Sequence, residues 1–305
     1  MAQNTEGLYC DDCSTHTDGM SNVSTPTAAA TAALPRAILS RNSFTASLIV
    51  IASCAALARA VPDATGATVA LIHGFTDNKV LWICLAVAIW HLQRKPSPAL
   101  QAQHLAAGIP ALALAATSGG IWPWIGLSIS LLLLLVMAPG YRGAARTGLL
   151  IALIAAIHEI TIDTISDLGG DTLLGIDAQI AGSLAQWVLP NLVVEGNALQ
   201  HLDGHMLVLV WGCSSLSNLG DTLLLFWALV SLNASGEESK QSRGWIIICS
   251  VALTCLIVAF NALRLALMAG NAELYAFLHD GDGAAWFRLT TLGVTALMSG
   301  VASCR

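Results

Sequence analysis

Long apolar segments recur along this chain after a polar beginning. Residues 1–35 are small and polar, rich in Thr, Ala and Ser, and have no helical apolar periodicity. Such a segment buries too little apolar surface to offset its conformational entropy, so we expect a disordered tail. It has no basic region followed by an apolar core and therefore does not resemble a secretory signal peptide. We expect the rest, 36–305, to form one transmembrane domain.

Eight segments of that domain have about the length and apolarity of membrane-spanning helices, which need about 20 mostly apolar residues. They cover 43–61, 79–93, 103–119, 121–138, 147–165, 214–233, 245–270 and 285–302. Composition agrees, because 55% of the 305 residues are hydrophobic and 10% are charged, whereas soluble domains carry about 25% charged residues. The predicted fold class is all-α, a polytopic bundle of about eight transmembrane helices.

The segment between the fifth and sixth spans, 166–213, does not fit a spanning helix. In its first part apolar residues recur at helical spacing, which predicts an extracytoplasmic amphipathic helix lying on the membrane surface. These residues are Leu173, Ile176, Ile180, Leu184 and Trp187. Further on, two apolar runs flank Asp203-Gly204, a pair that favours a two-residue hairpin turn. We predict a β-hairpin over 193–211 that leads to Cys213.

Lys and Arg are concentrated in the segments on one side of the predicted membrane. With the N-terminus inside, the cytoplasmic segments hold nine of the thirteen basic residues, namely Arg36, Arg41, Arg94, Lys95, Arg142, Arg146, Lys240, Arg243 and Arg305. The opposite loops, 166–213 and 271–284, contain acidic residues and no Lys or Arg. This asymmetry predicts cytoplasmic N- and C-termini in a cell inner (cytoplasmic) membrane. The net charge of −6 argues against a nucleic-acid partner.

One cysteine, Cys213, is predicted at the outer membrane boundary. Cys10, Cys13 and Cys304 fall on the cytoplasmic side and the other four fall inside helices, so Cys213 has no evident disulfide partner. A boundary thiol of this kind is either reactive or a small apolar filler. Cys10-x-x-Cys13-x-x-His16 is half of a zinc site without a convincing fourth ligand, so we predict no metal and no cofactor.

Two further residues are predicted at the same membrane level as Cys213. Arg264 lies in the outward half of the seventh span, and Asn261 is one turn earlier on the same helical face. This pairing favours a contact with protein or a water-filled cavity, although snorkelling to the interface is the alternative for arginine. His279-Asp280 lies just before the eighth span. Three consecutive helices thus bring a thiol, a guanidinium and an imidazole to one level.

A second polar cluster lies inside the fifth span, where His158, Glu159 and Asp163 occur together. Ionisable residues inside a membrane are functional candidates by default. These residues could equally form an interhelical hydrogen bond, and the His-Glu pair lacks the second histidine of the zinc-protease motif. We interpret this cluster as structural or supporting.

Three sequence blocks surround the outer candidates. The first runs from Glu195-Gly196-Asn197 through the hairpin to Cys213-Ser214-Ser215-Leu216, the second is Asn261-Ala262-Leu263-Arg264, and the third is His279-Asp280-Gly281-Asp282-Gly283. They resemble the E-G-N, C-S-G-L, N-x-x-R and H-D-x-x-G patterns of the exosortase/archaeosortase family of membrane cysteine transpeptidases. The resemblance covers roughly 40–302. Ser215 departs from the family glycine, and Ser217-Asn218 stands where a basic residue is common.

The resemblance implies a cysteine endopeptidase or transpeptidase that cleaves C-terminal sorting signals of exported proteins. Such signals, as in PEP-CTERM proteins, comprise a short motif, a hydrophobic helix and a basic tail. The cleaved protein would be transferred to an envelope or exopolysaccharide acceptor that the sequence does not identify. The catalytic residues implied are Cys213 as nucleophile, His279 as base and acid, and Arg264 as oxyanion stabiliser, supported by Asn261, Asp280, Ser214, Glu195 and Asn197. Topology alone would also allow His201 or His205 as the base.

Two other function classes remain open. A catalytically silent envelope-assembly scaffold is motivated by the departure at Ser215. A membrane transporter is motivated by the buried ionisable residues Arg264, His158 and Asp163, although the chain has no internal repeat and no matched pair of broken helices.

Overall fold

The computed structural model describes residues 40–59, 78–117, 120–137, 141–187, 189–201, 206–233, 242–279 and 281–304. The chain divides into two compact units, Met1–Ala37 and Ile38–Arg305, and all described residues belong to the second. The expected disordered tail 1–35, the turn Asp203-Gly204 and the candidate Asp280 lie outside the described residues.

Helices make up most of the described chain. The α-helices are α1 (Arg41–Arg59), α2 (Lys79–Gln93), α3 (Ala102–Ala115), α4 (Trp122–Met137), α5 (Ala144–Ala185), α6 (Ser215–Asn233), α7 (Arg243–Gly270), α8 (Ala272–His279) and α9 (Asp282–Ser303). Between α5 and α6 lie the strands β1 (Leu192–Glu195), β2 (Ala198–His201) and β3 (Met206–Val208), followed by a 3₁₀ turn (Trp211–Cys213). These elements are compatible with the predicted all-α class.

Among the described residues, three helices are long and apolar enough to cross a membrane. They are the Ala144–Ser166 part of α5, all of α6 and all of α7. The apolar helices α1 to α4 are shorter. Large apolar side chains such as Ile109, Val136 and Leu297 are more than half exposed. Large exposed apolar side chains on several helices are unfavourable in water and are expected where a protein meets lipid.

The helices approach one another closely where glycine replaces a side chain. Gly148 of α5 faces α2, and a Cβ atom there would lie 2.5 Å from the carbonyl oxygen of Ala88. Gly126 of α4 faces α3 in the same way, with a Cβ atom 2.6 Å from the carbonyl oxygen of Pro110. Small residues at such crossings allow backbones to pack closely where lipid provides no hydrophobic driving force.

Polar side chains fasten the start of α1 at the predicted cytoplasmic level. The Asn42 amide donates to the carbonyl oxygen of Leu92, at the end of α2. The hydroxyls of Thr45 and Tyr141 are 2.7 Å apart, and the Arg41 guanidinium lies 3.9 Å from the centre of the Tyr141 ring. These contacts join α1 to α2 and to the segment before α5, because buried polar groups need partners.

Helix α5 differs from the sequence prediction. We predicted a span over 147–165 and a separate surface helix, whereas one helix continues from Ala144 to Ala185. His158 of α5 lies 3.7 Å from Asp221 of α6, and Asp177 of α5 contacts Ser215 at the start of α6. If both helices were straight, His158 and Asp177 would be roughly 28 Å apart along α5, whereas their partners Asp221 and Ser215 would be roughly 9 Å apart along α6. The part of α5 after Ser166, which we predict on the outer side and call its outer part, therefore turns over the N-terminal end of α6.

The outer part of α5 has two different faces. Small and apolar residues, including Leu174, Ala178 and Ala181, are buried against the sheet and α7. The larger residues of the predicted amphipathic face point the other way, and Ile176, Ile180, Leu184 and Trp187 are exposed. This helix therefore packs on the protein with its small residues and leaves its bulky apolar residues uncovered.

The three strands form one antiparallel sheet in the order β1-β2-β3. Strand β2 pairs antiparallel with β3, with Leu199 opposite Leu207. The sequence analysis missed the pairing of β1 with β2, in which Glu195 lies opposite Ala198. The turn between them contains Gly196, whose φ of 57° lies in the left-handed region that glycine tolerates.

The glycine at the crossing of α2 and α5 provides a test of this packing. We expect Gly148→Ala to destabilise the protein by about 1–3 kcal/mol, because the added methyl group meets the backbone of α2. The matched control is Gly293→Ala in α9, where a Cβ atom meets nothing within 4 Å. That variant should be neutral or up to about 1 kcal/mol more stable. The measurement is the Tm of each purified variant in detergent, and equal values for both variants would contradict the close crossing.

Candidate functional site

Cys213 lies at the end of the 3₁₀ turn, directly before α6. Its backbone N–H donates to the carbonyl oxygen of Val210 at 2.9 Å, and the residue is 6% exposed. The next residue, Ser214, caps the helix, because its hydroxyl accepts a hydrogen bond from the N–H of Ser217 at 3.0 Å. Cys213 therefore lies at the positive end of the α6 dipole, where a negative charge is favoured.

Asp177 holds the start of α6 from the outer part of α5. Its carboxylate accepts a hydrogen bond from the N–H of Ser215 at 2.6 Å, and both residues are buried. The first N–H groups of a helix have no partner within the helix, so this contact satisfies one of them. The sequence analysis did not single out Asp177. The available signal was its position beside Leu174 and Ala178, on the small-residue face of α5.

The Asn261 side chain joins α7 to the turn that carries Cys213. Its amide nitrogen donates to the carbonyl oxygen of Cys213 at 2.9 Å and to the hydroxyl of Ser215 at 3.1 Å. Its amide oxygen accepts from the side chain of Asn218 at 3.3 Å. Asn261 is 0% exposed, so these bonds replace all contact with solvent. Ser215 and Asn218, which depart from the exosortase pattern, are thus both partners of Asn261.

Arg264 lies one helical turn further along α7 and contacts the other side of the site. Its Nε and Nη2 atoms donate to the carbonyl oxygen of Leu278 at 3.3 and 2.9 Å. Its guanidinium carbon is 4.8 Å from the centre of the Phe287 ring, which allows a cation–π contact. Arg264 also interacts electrostatically with Cys213 and Arg288. Its charge is therefore placed to influence the thiol.

His279 is the last residue of α8 and follows the carbonyl group that Arg264 binds. Its ring stacks on Tyr275, with ring centres 4.9 Å apart and planes 14° from parallel. Tyr275 and Leu278 pack against the same apolar cluster that contains Cys213. The three predicted catalytic residues are thus connected through α7, since Asn261 binds the Cys213 turn and Arg264 binds the helix that carries His279.

Glu195 and Asn197 occupy places in the sheet rather than beside the thiol. Glu195 ends β1 and is exposed. The side chain of Asn197 donates to the carbonyl oxygen of Leu209 at 3.1 Å, and the Leu209 N–H donates to the Asn197 carbonyl oxygen at 2.9 Å. Asn197 therefore extends the pairing of β2 with the chain that leads to Cys213.

The His158 cluster lies in the Ala144–Ser166 part of α5, which is long and apolar enough to cross a membrane, and it has a partner on α6. His158 lies 3.2 Å from the Glu159 carboxylate and 3.7 Å from the carboxylate of Asp221. The sequence analysis did not identify Asp221 as a partner, since hydropathy does not reveal which helices are neighbours. A cavity of about 460 Å³ adjoins the cluster and is lined mostly by apolar residues, including Ile154, Gly220 and Trp227. In the described part of the chain, no group of three or more His, Cys, Asp or Glu side chains is arranged to hold a metal ion.

Comparison with known proteins gives no family assignment, because no family model, curated protein or solved structure matches the chain.

The buried contact between α5 and α6 gives a testable prediction. We expect Asp177→Ala to lower the free energy of unfolding by about 1–3 kcal/mol, because it leaves the buried N–H of Ser215 without its carboxylate partner. The matched control is Asp171→Ala, which removes an exposed carboxylate from the same helix and should have little effect. Both are measured as Tm in detergent. Equal loss in the two variants would show that the carboxylate of Asp177 does not hold α6.

Proposed function

We propose that this chain is a membrane-embedded cysteine protease or transpeptidase of the exosortase type. One observation carries the proposal: two side chains of α7, one turn apart, bind the backbone carbonyls next to the thiol and the imidazole. Asn261 binds the carbonyl oxygen of Cys213, and Arg264 binds that of Leu278, which precedes His279. These two contacts tie the turn of the thiol and the helix of the imidazole to one face of α7, which supports a joint role for the two groups.

The proposed topology has eight spans with both termini in the cytoplasm. In this arrangement α1 to α4, the first part of α5, α6, α7 and α9 cross the membrane. The outer part of α5 lies on the outer surface, with its exposed Ile176, Ile180 and Trp187 side chains towards lipid. A hairpin turn at Asp203-Gly204 would join β2 to β3. The thiol would then lie at the outer membrane boundary, where an exported protein emerges.

The proposed reaction begins at the thiol of Cys213. His279 takes the thiol proton, and the thiolate attacks the scissile carbonyl carbon. The electron pair of the carbonyl moves to its oxygen, and the negative charge that develops is stabilised by the Arg264 guanidinium. The N-terminal end of α6 favours the thiolate in the same direction. The cation and the helix dipole both act on negative charge in a region that is largely closed to water, where such interactions are strong.

Collapse of the intermediate breaks the peptide bond. The nitrogen of the C-terminal fragment leaves with the proton from His279, and the exported protein remains attached to Cys213 as a thioester. An amine or hydroxyl of the acceptor then gives its proton to His279 and attacks the thioester, which releases the thiol. Water as acceptor gives proteolysis. The low exposure of Cys213 favours a bound acceptor over water, because water reaches the thioester poorly.

The substrate would be an exported protein that ends in a short motif, a hydrophobic helix and a basic tail. The helix would place the motif at the outer boundary, and the tail would remain on the cytoplasmic side. A bilayer-embedded enzyme with its thiol at that level can cut such a protein without extracting the helix from lipid. This match of depth explains why the thiol would belong to a membrane bundle.

Transport is the second candidate function, and the His158 cluster favours it. Three ionisable residues on α5 and α6 adjoin a cavity inside the membrane-spanning region, as in some ion pathways. Flux into proteoliposomes that depends on His158 and Asp221 but not on Cys213 would support transport. A silent scaffold is the third alternative, in which a bulky thiol reagent would fail to label Cys213.

The proposed function predicts the effect of removing the thiol or the guanidinium. We expect Cys213→Ala to abolish processing of a tagged exported protein that ends in the three-part signal. Arg264→Gln should reduce processing by about 10²-fold or more, as loss of an oxyanion-stabilising group does. Processing is measured by the size shift of the tagged protein in membranes.

Arg288→Gln is the matched control for the guanidinium. Arg288 is an exposed arginine on α9 that interacts electrostatically with Arg264, and its loss should leave most of the processing intact. Each variant must be present in membranes at the wild-type amount. Normal processing by Cys213→Ala would refute the proposed function.

A further inference from the structure

Strand β3 forms an edge of the sheet. Among the described residues, β3 pairs with β2 on one side, and no strand lies on its other side. An edge strand presents a row of backbone N–H and C=O groups at strand spacing, and another extended chain can pair with that row.

The register of the sheet identifies the groups that point to the free edge. The N–H of Leu209 donates to the carbonyl oxygen of Asn197, and Leu207 lies opposite Leu199. Because the hydrogen-bonding direction alternates along a strand, Leu207 and Leu209 face β2. The backbone groups of Met206 and Val208 therefore face away from β2, as does the N–H of Val210.

Within the described stretch from Met206 to Val210, this edge carries no charged side chain and no proline. Proteins commonly place a charged residue, especially lysine, or a proline on exposed edge strands to prevent association. Here the side chains that alternate with the buried ones are Met206, Val208 and Val210, which are 55%, 47% and 53% exposed. They form an apolar strand face that is about half exposed.

The edge also leads directly to the candidate nucleophile. Val210 is followed by the 3₁₀ turn Trp211–Cys213, and its carbonyl oxygen accepts a hydrogen bond from the N–H of Cys213. A chain paired with β3 would therefore run along the strand to the turn that carries the thiol. Pairing would hold the backbone in the extended form in which a peptide carbonyl is open to attack.

We propose that the motif segment of the substrate binds as an added strand on the free edge of β3, with its scissile carbonyl group beside Cys213. This inference rests on the proposed function and specifies the substrate as an extended polypeptide. Backbone hydrogen bonds to Val208 supply affinity that does not depend on sequence, and the exposed side chains of Met206 and Val210 select apolar or small residues at alternate positions.

A membrane surface is the competing occupant of the same strand. Lipid would cover the side chains of Met206, Val208 and Val210 and would have no need of the backbone N–H groups. The two occupants therefore differ in their response to loss of a single N–H group.

The first experiment compares Val208→Pro with Val208→Ala. Proline removes the N–H that points to the free edge and is tolerated on an edge strand, whereas alanine shortens the side chain and keeps the N–H. The probe is a set of exported reporters, each ending in a randomised short segment, a hydrophobic helix and a basic tail. We expect Val208→Pro to reduce cleavage of the processed reporters about tenfold, as loss of one backbone hydrogen bond to the bound chain does. Val208→Ala should cleave nearly as wild type.

Two outcomes of this comparison would overturn strand addition. Wild-type cleavage by Val208→Pro would show that the N–H is not used. Equal loss in both variants would assign the effect to the side chain, as a lipid contact requires. Both variants are checked for membrane abundance and for labelling of Cys213 by a small thiol reagent.

A second experiment does not depend on the folding of the proline variant. A photo-crosslinking residue replaces Val210 in a chain that also carries Cys213→Ala, so that bound reporters are not consumed. We expect the crosslink to map to the randomised segment of the reporter rather than to its hydrophobic helix. In one outcome, the crosslink forms while neither the wild type nor the Val210-substituted chain that retains Cys213 cleaves the reporter. That outcome would leave strand binding intact and refute the proposed enzyme. Cleavage by wild type without any crosslink would refute strand addition alone.

Discussion

The buried amide of Asn261 connects α7 to the turn that carries Cys213 and to the start of α6. It binds the turn before α6 through the carbonyl oxygen of Cys213 and the first turn of α6 through Ser215. A carbonyl buried away from water costs free energy unless it has a partner, and the Asn261 amide is such a partner for Cys213. Arg264, on the next turn of α7, does the same for the carbonyl of Leu278.

The same requirement applies to the non-helical chain between α5 and α6. Buried irregular backbone is stable only when its hydrogen-bonding groups have partners. Strand pairing does this within 192–201 and 206–208, Asn197 continues it to Leu209, and the Asp177 carboxylate satisfies the N–H of Ser215. The thiol of the proposed enzyme is therefore held by side chains from α5 and α7 at once.

The two departures from the exosortase pattern gain a physical meaning from these contacts. Ser215 places a hydroxyl within reach of Asn261, and Asn218 supplies a neutral amide to the same side chain. A glycine at the first position would lack the hydroxyl, and a basic residue at the second would replace the neutral amide that Asn261 binds with a charge. In this chain Arg264 lies between the Leu278 carbonyl oxygen and the Phe287 ring, and these two contacts orient its guanidinium.

The sequence by itself determined the apolar segments and their polar boundaries, and from these it predicts an outer position for Cys213, Arg264 and His279. These properties are local, because hydropathy and charge are read from consecutive residues. Most of the described helices overlap the segments expected to be apolar, although α5 continues past its predicted end. Only the tertiary structure decided that Asp177 binds the start of α6 and that Asp221 lies beside His158. Those partners are 38 and 63 residues apart in the chain, and side-chain pairing over such separations follows from packing, which periodicity does not encode.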